Sequence, residues 1–72
     1  MTYLAKMTIG CGGSWAKGET EEEAIKRCIE YAKVDWSFLY KIEGEVELAI
    51  FKDGGADSFE DDTFIHLAKA VA

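Results

Sequence analysis

Few residues in this chain have side chains and spacing suited to chemistry. They are one histidine, His66, the cysteines Cys11 and Cys28, the stretch Gly10-Cys11-Gly12-Gly13-Ser14, and two groups of carboxylates. A zinc site draws three or four ligands from closely and regularly spaced Cys, His, Asp or Glu. His66 and the two cysteines lie far apart with no such pattern. A thiol nucleophile needs a base within hydrogen-bond reach, and nothing in the spacing brings His66 to either cysteine. His66 therefore reads as a structural or surface histidine. The glycine-rich stretch has the composition of a phosphate-cradling loop, but such loops run directly into a helix whose N-terminus faces the anion. Here a short strand pattern intervenes, and the helix that follows opens on Glu21-Glu22-Glu23, which repels phosphate. A hairpin turn is the expected role. No catalytic residue, metal ligand or cofactor is assigned, and the chain is expected not to be an enzyme.

The carboxylates are the more informative group. Glu43, Glu45 and Glu47 recur at a spacing of two, which places them on one face of an extended strand. Asp57, Glu60, Asp61 and Asp62 cluster further on, without the Asp-x-Asp-x-Asp-Gly order of a calcium loop. A solvated acidic face is one reading of both groups. The other is electrostatic: carboxylates in rows compete with nucleic-acid phosphates for the Lys/Arg groove of another protein and steer association with it.

The 72 residues carry 14 acidic and 8 basic side chains, a formal charge of −6, with 49% hydrophobic residues. That balance belongs to a folded domain, and residues 1–72 are read as a single small one. The acidity argues against direct nucleic-acid binding, whose footprint is normally basic. Met1-Thr2-Tyr3-Leu4-Ala5-Lys6-Met7 alternates instead of forming the apolar run of a signal peptide, and no stretch approaches the ~20 apolar residues of a membrane span. A cytoplasmic protein without membrane contact is expected. Cys28 falls on an apolar helix face and is expected as a reduced, buried thiol; Cys11, in the glycine-rich turn, is expected as an exposed one.

Several elements must position these side chains. Residues 2–9 alternate, with Tyr3, Ala5, Met7 and Ile9 on one face, and predict a strand. The glycine-rich turn leads to a second strand from Ser14 to Gly18 with Trp15 as its large side chain. Thr20 followed by Glu23 forms a capping box, and Ile25, Cys28, Ile29 and Ala32 make the buried stripe of a helix ending near Val34 or Asp35. Trp36, Phe38, Tyr40 and Ile42 alternate again and predict a third strand. Glu43-Gly44 is then a two-residue turn, and Val46, Leu48 and Ile50 lie on a fourth strand; the alternative is one long strand with a bulge at Gly44. From Asp57 to Ala72 the stripe Phe64, Leu67, Ala68 and Val71 predicts a C-terminal helix.

The resulting order is β-β-α-β-β-α, an α+β fold with a four-stranded antiparallel sheet and a helix packed on one face. Tyr3, Met7, Phe38, Tyr40, Val46, Leu48 and Ile50 are expected to face that helix. The opposite face then carries Leu4, Leu39, Ala49 and Phe51 among Lys6, Lys41, Glu43, Glu45 and Glu47. Two arrangements are open, each for all or half of the face, and strand pairing could also make a homodimer. Either the C-terminal helix covers this face with Phe64, Leu67 and Val71, or part of it stays exposed as an apolar patch with an acidic rim.

Gly18-Glu19-Thr20-Glu21-Glu22-Glu23-Ala24-Ile25 resembles the strand-to-helix step of HicB-type antitoxins. These are small domains that neutralise a toxin; the third strand of this chain, unlike theirs, follows the helix. The resemblance implies a small regulatory domain, dimeric through an edge strand. The run from Glu23 through the helix is joined by Phe38-Leu39-Tyr40-Lys41-Ile42-Glu43-Gly44-Glu45-Val46-Glu47-Leu48 and Lys52-Asp53-Gly54. Together they are similar to small acidic phage inhibitors of the anti-CRISPR type with β-β-α-β-β order. Those inhibitors share no common motif, so no functional residue carries over. What the resemblance implies is a behaviour, namely non-catalytic blocking of a nucleic-acid-processing complex at its basic surface, within the host cytoplasm if the chain is phage-encoded. The expected partner-binding residues, read from the chain itself, are Leu39, Glu43, Glu45, Glu47, Phe51, Asp57, Glu60, Asp61 and Asp62.

Overall fold

The alternation of Tyr3, Ala5, Met7 and Ile9 with Leu4, Lys6 and Thr8 becomes strand β1 (Tyr3–Ile9), which pairs antiparallel with β2 (Gly12–Gly18). In this computed structural model the described residues are 2–10, 12–53 and 63–72. Ile9 stands opposite Gly12, which closes the β1–β2 hairpin. Gly10 supplies a left-handed φ of +55° at its turn. Helix α1 (Glu21–Trp36) follows, then β3 (Glu45–Lys52) and β4 (Thr63–Val71). The strands form one antiparallel sheet in the order β2-β1-β3-β4. β2 and β3 flank β1 and run parallel to each other, so α1 crosses over β1 in connecting them.

Local chemistry explains the start of α1. The Thr20 hydroxyl accepts from the Glu23 amide at 3.1 Å, and the Glu23 carboxylate accepts from the Glu19 amide at 3.4 Å. Glu21, Glu22 and Glu23 occupy the first turn, where the helix dipole favours negative charge. The buried face of α1 presents Ala24, Cys28, Ile29 and Ala32 to Ala5, Met7, Ile9 and Ala16, with Leu48 and Ile50 completing the core. Four alanines in this interface let the helix lie close to the sheet. A Cβ on Gly18 would come within 2.6 Å of the Ala24 amide nitrogen.

Polar contacts fix the same interface. The Ser14 hydroxyl donates to the Cys28 carbonyl at 3.0 Å, the Cys28 thiol donates to the Ser14 carbonyl at 3.3 Å, and Arg27 donates to the Lys17 carbonyl at 3.0 Å. Cys28 is a free, buried thiol, and burial pushes its pKa up, away from the reactive thiolate. Cys11 lies outside the described residues.

The α+β class holds, with an antiparallel four-stranded sheet and a helix on one face. Two elements differ from the sequence expectation. The strand predicted from Trp36 to Ile42 is absent. Trp36 is the last residue of α1, and the amides of Leu39 and Tyr40 both donate to its carbonyl, at 3.0 and 2.9 Å, turning the chain. Phe38 is consequently 78% exposed rather than facing the helix. The predicted C-terminal helix is, over its described part, strand β4. The open side of β3 takes up its backbone, pairing residues Glu45 to Lys52 with Val71 back to Thr63 through a bulge opposite Ile50 and Phe51. Among the described residues the order is therefore β-β-α-β-β. Among the described residues no helix is long and apolar enough to cross a membrane.

Candidate protein-binding surface

Residues directly opposite one another across strands share a sheet face. The register therefore assembles the face away from α1 in rows. Lys17, Leu4, Phe51 and Phe64 form one row, and Trp15, Lys6, Ala49 and Leu67 the next. Glu47 with Lys69 and Glu45 with Val71 continue the surface over β3 and β4. Leu4 is fully buried, whereas Trp15, Phe64, Leu67 and Val71 are 51%, 53%, 58% and 80% exposed. Phe51 meets Phe64 edge to face at 5.5 Å, and the Lys6 ammonium lies 5.0 Å from the centre of the Phe51 ring.

The expected binding residues divide. Glu45, Glu47 and Phe51 do lie together on this face. Glu43 does not continue their row, because it precedes β3 and is separated from Glu45 by Gly44, whose φ of +71° turns the chain. Leu39 is exposed in the turn after α1 and belongs to no strand. Asp57, Glu60, Asp61 and Asp62 lie outside the described residues. The covering role proposed for a C-terminal helix falls away for residues 63–71, since β4 extends the sheet edge-on. Sequence reasoning missed Phe64, Leu67 and Val71 as members of an open face because a helical period also fitted them.

The acidity of the face is also less continuous than the spacing suggested. Lys41 pairs with Glu43 at 3.4 Å and Lys69 with Glu45 at 3.8 Å, all four side chains well exposed. Glu47 stands directly across from Lys69. These are surface pairs of small individual worth. They make the surface a mosaic of apolar side chains and alternating charge.

A cleft opens onto the same face. The β1–β3 ladder runs from Tyr3 opposite Lys52 to Lys6 opposite Ala49 and stops there. Beyond it, residues 7–9 and 46–48 line a cleft of about 610 Å³ whose wall is completed by residues 40–43. Lys6, Glu47, Ala49 and Leu67 belong both to the cleft and to the open face, and Glu43 lies in its wall. The arrangement offers an apolar platform beside a recess bearing Glu43 and Glu47 together with Lys6 and Lys41, which suits an anchoring side chain of a partner.

Among the described residues, His66 has two hydrogen-bond partners. Its ring is exposed on β4, hydrogen-bonded to the Leu67 carbonyl and to the Glu21 carboxylate. Both contacts favour the imidazolium, and its pKa is raised, chiefly by the Leu67 carbonyl and next by Glu21. Among the described residues, no three His, Cys, Asp or Glu side chains converge as metal ligands would. Compared with the known protein families, the curated proteins and the solved structures, the chain matches none.

Proposed function

We propose that this protein is a non-catalytic binding protein whose open sheet face docks on a partner with a basic surface. The partner is a protein that processes nucleic acid, and occupation of its phosphate-binding surface blocks it, as inhibitors of the anti-CRISPR type do. One observation carries this reading: the exposed apolar row of Phe64, Leu67 and Val71 is continuous with Ala49, Glu45, Glu47 and the cleft beside them. Exposed apolar area next to charged rims is the anatomy of a protein interface. The net charge of −6 supplies long-range attraction for a basic partner. An arginine or lysine of that partner meets Glu47 in the recess and competes with Lys41 for Glu43, with Leu67 and Ala49 beside its aliphatic stem.

The test uses the full chain as bait against host lysate, beside a Phe64→Ser/Leu67→Ser variant and a Glu45→Lys/Glu47→Lys variant of verified fold. Support would be one nucleic-acid-binding protein retained by the wild type and lost with both variants. Retention of the same proteins by all three baits would overturn the proposal.

A further inference from the structure

The sheet has two edges, β2 and β4, and they are not alike. β2 has α1 against its inner face, three glycines among its seven residues, and Lys17 held by Asp53 at 3.3 Å. β4 runs nine residues with neither glycine nor proline. Among the described residues only β3 pairs with it. Its Phe64, Ile65, Leu67 and Val71 are exposed. Because α1 lies over β1 and β2, a groove of about 440 Å³ is left between Ile25 and Ile29 of the helix and Ala70 and Ala72. A long edge with apolar side chains is a template for another strand, although here the Leu67 carbonyl already accepts from His66.

We propose that the outer edge of β4 is a homodimer interface. Two copies pair antiparallel about a two-fold axis normal to the sheet, which joins the two sheets into one and keeps both helices on the same side. Charge selects a second copy as the occupant. The chain carries −6 overall, yet residues 63–72 contain no Asp or Glu and only Lys69 as a formal charge. The groove beside it balances Glu22 and Glu30 against Lys26 and Lys33, so a basic partner finds no net negative charge along this edge, whereas two acidic copies meet there with least repulsion. With Ala68 on the axis, Leu67 of each copy stands opposite Lys69 of the other and His66 opposite Ala70, so no like charges face each other. Lys69 remains beside Glu45 of its own chain.

This interface shares Leu67 and Val71 with the surface proposed for the hetero-partner, and salt separates the two. Screening relieves repulsion between two acidic copies and so strengthens the dimer, while it weakens attraction to a basic protein. Sedimentation equilibrium of the full chain from micromolar to millimolar concentration is the experiment, with hydrogen exchange on the same samples. The expected result is a reversible monomer–dimer equilibrium strengthened by salt, with amide protection in 63–71 that rises with concentration. Leu67→Lys sets lysine against lysine across the axis and raises the dissociation constant about tenfold. Val71→Lys, at an 80% exposed position, serves if the first variant fails to fold. Trp15→Lys, near the opposite edge, leaves the equilibrium unchanged. A monomer throughout the range, or a dimer that responds to Trp15→Lys and not to the β4 variants, overturns the proposal.

Discussion

His66 joins the edge strand to the first turn of α1 through Glu21, and the Leu67 carbonyl holds the other side of its ring. Its raised pKa gives the contact a definite pH dependence. A group whose pKa is higher folded than unfolded contributes stability below the unfolded value, about 6.5 for histidine. That contribution is lost as pH rises through the folded value. An NMR titration of the His66 ring should therefore show a pKa above the ordinary one, and Glu21→Gln should lower it; an unchanged midpoint in the variant would remove Glu21 as a cause. Gly18 tests the helix–sheet spacing. Because a Cβ there runs into the Ala24 backbone at 2.6 Å, Gly18→Ala should destabilise by about 1–3 kcal/mol in denaturant unfolding. Equal or greater stability would mean that α1 sits further from β2 than described.

The elements show where sequence patterns were sufficient. α1 was legible from Thr20 and Glu23 at its start and from Cys28, Ile29 and Ala32 along its buried side, because capping and helical period are local. The first hairpin was legible from alternation and glycine for the same reason. Trp36 was ambiguous: it begins an alternating run, yet it also continues the helical spacing four residues beyond Ala32. Tertiary contact decides the matter. Its indole N–H donates to the Gly13 carbonyl at 3.2 Å, and its ring fills the space beside Gly12, where a Cβ would come within 2.5 Å. In the tail, Phe64, Leu67, Ala68 and Val71 fit a helix, but the choice was made by a distant partner, the vacant side of β3, which local spacing does not contain. Phe38 separates the two readings of the middle segment. At 78% exposure, Phe38→Ser should change stability by no more than about 0.5 kcal/mol, whereas a strand with Phe38 against the helix would lose several times that.

At the scale of the whole molecule, α1 packs on one face of the four-stranded sheet, and on the other Trp15, Phe64, Leu67 and Val71 are exposed. Half of the candidate surface was legible: Glu45, Glu47 and Phe51 share a strand, so spacing alone put them on one face. Leu39 and Glu43 were misplaced along with the absent strand, and the apolar half of the surface waited on the pairing of β4. The charge pattern has a consequence for association. Replacing Glu45 and Glu47 by lysine adds four positive units to a chain of charge −6, so affinity for a basic partner should fall and depend less on salt, with thermal stability nearly unchanged. Binding titrations at several ionic strengths read both effects, and an unaltered salt slope would exclude the acidic strand from the interface. The most direct measurement is competition on the captured partner: its nucleic acid is titrated into the preformed complex while bound protein is followed. Mutual displacement, with no ternary species, is the outcome that blocking of a phosphate-binding surface requires; a stable ternary complex with both bound would contradict it.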